Sequence, residues 1–126
     1  MKLGDVFQAA SSWQALTALK MAPAVAYKLL KYAKLVSAEH DIAERHRVLL
    51  IHELTKTKEG ENANIQPGTP EFVDYVDLFG AILELECDLA PCSLKMDEVL
   101  AAISAEQANV LSVRDLGTLE PFFAEG

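Results

Sequence analysis

Apolar positions recur at helical spacing along most of the chain, and the breaks in that pattern divide it into elements. In "DVFQAASSWQALTAL" an Asp stands three residues before Gln8, a capping-box spacing, and Phe7, Ala10, Trp13 or Gln14, and Leu16 or Thr17 follow at helical intervals. The pattern predicts a first helix from Asp5 to about Leu19–Met21, stopped by Pro23, which disfavours helical geometry in the residue before it. Pro23 then suits the first turn of a second helix, where its missing N–H is not needed. No Gly or Pro intervenes from there to about Lys56, so one helix of roughly 50 Å is expected at 1.5 Å per residue.

That helix carries two apolar stripes when positions advance by about 100° per residue. One holds Val25, Leu29, Tyr32, Val36, Ala43, Leu50 and Leu54; the other holds Leu35, Ile42 and Leu49, each seven apart. The remaining elements are too short to cover a helix of this length completely, so two stripes imply two partners, one of them from another subunit. Glu39, His46 and Glu53 share a face between the stripes, where polar residues can set register against a partner as they do in coiled coils. The expected interaction residues are Leu35, Ile42, Leu49, Glu39 and His46.

"TKTKEGENANIQPGTP" is loop by composition. Thr69 then caps a helix with Pro70 at its first position and Glu71 in its first turn. This helix is expected over 70–86, with Phe72, Tyr75, Val76, Phe79 and Leu83 on one face and Asp74, Asp77 and Glu84 on the other. It should fold back along the long helix and bury its aromatics there. After Gly80, "ILELECDLA" alternates apolar and acidic residues, the period of a half-buried strand. "CSLKMDEV" reads either as a second strand or as a short helix. Ser104 and Ser112 open short helices, the last carrying Val113, Leu116 and Leu119 up to Pro121, with Phe122 and Phe123 docking back. The expected fold is mainly α (α+β): a long antiparallel helical hairpin with an N-terminal helix, a small C-terminal β element and short helices. A chain of 126 residues makes one domain of this, divided into 1–56, 57–69, 70–86 and 87–126.

Charge changes the picture more than composition does. The net charge is −8, yet residues 1–60 hold nine Lys or Arg against six acids, and residues 61–126 hold two against thirteen. The halves can pair within the chain or between subunits. No basic stripe interleaved with aromatics marks a general nucleic-acid binder, and Lys20, Lys28, Lys31 and Lys34 read as a solvated helix flank. No apolar run reaches membrane-spanning length, and the amino terminus lacks the features of a secretory signal. The chain therefore reads as soluble and cytoplasmic. Cys87 and Cys92 are spaced too widely for a redox Cys-x-x-Cys motif and lack a second pair for zinc, so reduced thiols are expected.

Candidate chemistry centres on "AEHDIAERHR". His40 and Glu44 are four apart and share a helix face, as metal ligands can; His46 points about 120° away from His40 and cannot join them. The closing histidine of a His-Glu-x-x-His zinc site is absent after "HELTK". Local pairing accounts for the same residues: Asp41 with Arg45, and Glu44 with Arg47. No phosphate loop or nucleophile elbow appears, and neither catalytic residues nor a cofactor is assigned.

The order of "APAVAYKLLKYAKLV", "RHRVLLIHEL", the polar loop before "PEFVDYVDLF", and the closing "SVRDLGTLEPFF" resembles a family of small proteins of unknown function encoded by tailed bacteriophages and prophages. The chain departs from that pattern at Ala22 and over residues 91–111. The resemblance implies a phage or prophage origin, a bacterial host cytoplasm and a non-enzymatic role, and it brings no catalytic residues. The expected function is an accessory protein acting by contact with itself or with another phage or host protein. The alternatives are an antagonist of a host defence factor working through the acidic second half, and a metal-dependent enzyme at His40 and Glu44.

Overall fold

The long apolar period from Pro23 produces one uninterrupted helix, α3, spanning Pro23–Thr55. The computed structural model describes residues 1–58, 60–107 and 109–124. Glu59 of the expected loop, and Ala108, Glu125 and Gly126 of the expected C-terminal segment, lie outside the described residues. Pro23 opens α3 at its first turn. At the other end Lys56 takes the left-handed conformation, with φ 57°. There the Lys56 N–H donates to Glu53 O and the Thr57 N–H to His52 O, the pair of bonds that closes a Schellman motif.

The first helix departs from expectation. It begins at Leu3, not Asp5, and is broken at Ala9 into α1 (Leu3–Gln8) and α2 (Ala10–Thr17). Asp5 does not open the helix; its carboxylate accepts the Lys2 N–H at 3.2 Å from inside the first turn. At Ala9, with φ −88° and ψ −1°, the N–H donates to Val6 O at 3.2 Å, while α1 is held against the end of a distant helix, where a Cβ on Gly4 would stand 3.1 Å from the Leu83 carbonyl.

That helix, α4, runs Pro70–Leu83 and contacts both α3 and α1. Thr69 caps it by accepting the Phe72 N–H at 3.3 Å. It stops at Leu83, three residues short of the expected end. The alternation in "ILELECDLA" is not a strand. Its first residues complete α4, and the rest makes one isolated antiparallel bridge, Lys2 to Glu86, with Leu3 N–H donating to Leu85 O and Cys87 N–H to Met1 O. The strands lie further on. β1 (Cys92–Lys95) pairs in parallel with β2 (Phe123–Ala124), Cys92 opposite Phe123. "CSLKMDEV" is thus both of its alternatives: β1 runs directly into α5 (Met96–Ala102).

Ser104 precedes only a single 3₁₀ turn, Ala105–Gln107. Ser112 does cap α6 (Val113–Leu119), accepting the Asp115 N–H at 3.0 Å. Phe122 and Phe123 dock as expected, within 5.5 and 5.7 Å of the Trp13 ring. The main core gathers where α2, the amino-terminal half of α3, the sheet, α5 and α6 converge, around Trp13, Leu29, Tyr32, Val99 and Phe122. The distal half of α3 meets a smaller set in which Ala43, Leu50 and Phe79 are buried. Among the described residues no helix is long and apolar enough to cross a membrane.

Candidate interaction surface

The two stripes of α3 meet different fates. Leu29, Tyr32, Val36, Ala43 and Leu50 of the first are buried. Leu35, Ile42 and Leu49 of the second remain 56%, 50% and 41% exposed. Half-exposed apolar residues singly are ordinary, but three at a seven-residue repeat form a row along about 21 Å of helix, with Glu39 and His46 between them.

The polar residues expected beside that seam divide. His46 is exposed, whereas Glu39 is half-buried and lies near the Cys87 thiol. Burial, and then the neighbouring Glu39 carboxylate, push that thiol's pKa up, so it is a poor nucleophile. Cys87 and Cys92 are both free.

His40 and Glu44, the candidate metal pair, are turned to other partners. The His40 ring stacks on Phe7 at 5.2 Å, and its Nδ1 lies 3.6 Å from Asp41. Both Glu44 oxygens accept from Arg47, at 2.9 and 2.6 Å, and this bond holds the carboxyl below the usual range. Among the described residues no group of three or more His, Cys, Asp or Glu side chains is placed to hold a metal ion.

A groove of about 400 Å³ opens beside the amino-terminal end of the exposed seam. Lys28, Lys31, Tyr32 and Leu35 form one wall and residues 90–93 the other. The wall is fixed by the Tyr32 hydroxyl, which donates to Ala90 O at 2.7 Å. Burial, and then Cys92 and Cys87, push that hydroxyl's pKa up to about 12. Sequence reasoning missed this groove because nothing local to α3 announces that residues 90–93 will lie across it.

It also misassigned Val76. Phe79 is buried, and Phe72, Tyr75 and Leu83 are half-buried, but Val76 turns to solvent together with Val73. The acidic residues Glu71, Asp74 and Asp77 flank this pair, all exposed. A second cleft, of about 350 Å³, runs between α2 and α3 past Trp13, Gln14 and His40. The Trp13 Nε1 is buried with no acceptor among the described residues, a cost on the order of 1–3 kcal/mol to the fold. No family model, no curated protein and no solved structure matches this chain.

Proposed function

We propose that this chain is a non-enzymatic accessory protein of bacteriophage or prophage origin, working in the bacterial cytoplasm by protein–protein contact. In this reading α3 and α4 form an antiparallel hairpin. Glu71 shares a cleft with Leu54, and both Phe79 and His40 meet Phe7, so α4 advances as α3 recedes. The hairpin is the platform and the outer face of α3 is what it presents.

The observation that carries the reading is the exposed row of Leu35, Ile42 and Leu49, about 100° round the helix from the stripe that is buried. Covering what is still exposed on each side chain is worth on the order of 1 kcal/mol. Three such gains fall short of the ~4 kcal/mol or more that association costs. Hydrophobic burial therefore supplies part of the contact, and charged groups around the seam must supply the rest.

The test is a triple substitution, Leu35→Ser, Ile42→Ser and Leu49→Ser, which spares the buried stripe. Wild-type protein should run above its monomer mass of 13.8 kDa in light scattering, or carry a stoichiometric partner when purified from an infected host. The variant should keep its helical circular dichroism and lose that complex. A wild-type chain that stays monomeric and alone in both settings, or a variant that keeps its complex, refutes the reading. A nucleic-acid-binding host protein recovered as the partner, and unaffected by the triple substitution, moves the function to the acidic surface instead.

A further inference from the structure

We infer that the partner covering the amino-terminal part of the α3 seam is a second copy of this chain, whose α4 sets its acidic ridge against the lysine-rimmed groove. The inference rests on the reading that the chain works by contact through α3, and adds what makes the contact.

Two rows of charge match. Lys28, Lys31 and Lys34 stand three apart on α3, all exposed, and Glu71, Asp74 and Asp77 stand three apart on α4, all exposed. Residues three apart form one of the ridges by which helices pack, so the rows share one spacing and carry opposite sign. Each row is accompanied by apolar surface: Leu35 and Pro91 in the groove, Val73 and Val76 beside the acids, 57% and 50% exposed. A contact between them joins apolar to apolar and lysine to carboxylate along the same line.

The rows do not satisfy each other within one molecule. None of the three lysines and none of the three acids makes an ion pair among the described residues; Lys31 only overlies the ring of Tyr27, at 5.4 Å. Distance explains this. Glu71 of the acidic row shares a cleft with Leu54, and Lys31 lies twenty-three residues earlier on the same helix, roughly 35 Å away. The acidic row sits over the distal half of α3, so the lysines find carboxylates of that row only on another molecule.

The experiment uses full-length chains in light scattering and sedimentation equilibrium at low and high salt. One variant carries Lys28→Glu and Lys31→Glu, the other Asp74→Lys and Asp77→Lys; all four positions are exposed, and circular dichroism confirms that each folds. Wild type should self-associate and weaken as salt rises. Each variant alone should associate at least about tenfold more weakly. An equimolar mixture should recover association, because the reversed groove of one variant meets the reversed ridge of the other, and the unreversed groove meets the unreversed ridge, each pair of opposite sign. A monomeric wild type, a dimer indifferent to both reversals, or a mixture that fails to recover each overturns the inference. If the reversals do nothing while the Leu35, Ile42 and Leu49 triple variant abolishes the complex, the inference falls and the proposed function stands. If that triple variant is also without effect, both fall.

Discussion

Tyr32 is the residue on which most of the arrangement converges. Its ring packs 5.7 Å from Trp13 in the main core, while its hydroxyl reaches out to Ala90 O at 2.7 Å and holds the far wall of the groove. The same burial raises its pKa to about 12, above the value near 10 of an unfolded tyrosine. A folded-state pKa above the unfolded one favours the protonated hydroxyl, so its contribution is complete below about pH 10 and lost as pH rises through about 12. Tyr32→Phe keeps the ring and removes only the bond to Ala90. It should cost about 1 kcal/mol at neutral pH, read by urea unfolding. The gap between wild type and variant should close as the pH is taken from 10 toward 12. A gap that is constant across that range would show that the hydroxyl is not held by burial.

The helix ends give the clearest test of local sequence at the scale of an element. Lys56 closes α3 with φ 57°, a conformation that costs a residue bearing a Cβ roughly 1–2 kcal/mol. Lys56→Gly relieves that strain but gains entropy in the unfolded chain. The net expectation is about 0.5 kcal/mol of added stability, or about 2 °C in melting temperature, with an unchanged helical dichroism spectrum. A loss of stability would mean that the Lys56 side chain itself holds the cap. The beginnings of α3, α4 and α6 were legible because Pro23, Thr69 with Pro70, and Ser112 act through their own neighbours, as were the two faces of α3, since periodicity alone assigns them. The docking of α1 on α4 was not, because Gly4 and the Leu83 it meets stand seventy-nine positions apart in the chain. Nor was the failure of "ILELECDLA" to form a strand. Alternation is a property of the segment, but a strand needs a neighbour, and Lys2 supplies one bridge only. The exposed seam was visible for the reason that it needs nothing beyond α3. The groove was invisible for the opposite reason, since its walls, joined by Tyr32 and Ala90, stand 58 residues apart in the chain.

At the scale of the whole molecule the burial is uneven, and this has a consequence for motion. The main core holds Leu29, Tyr32 and Val36 of α3 together with Trp13, Leu119 and Phe122, while Ala43, Leu50 and Phe79 are buried outside it. The molecule therefore has a body, tied by both chain ends through contacts such as the Ser12 hydroxyl donating to Asp115 at 2.8 Å, and an arm made of α4 and the distal half of α3. Phe79 is central to the arm: it packs 5.3 Å from Phe7 and 5.7 Å from Tyr75. Regions with few buried apolar contacts open below the global unfolding free energy. Phe79→Ala removes the largest buried side chain of the arm, a change that costs about 3–5 kcal/mol in a well-packed site. Hydrogen exchange should then show protection falling sharply in residues 43–55 and 70–83, while residues 25–36 and 113–119 keep near-native protection. Loss spread evenly over the chain would mean that body and arm unfold as one cooperative unit. The division matters for contact with a partner, because the acidic row rides on the arm and the lysines stand on the body. If α4 opens first, Phe79→Ala should weaken self-association even though Phe79 lies under neither surface.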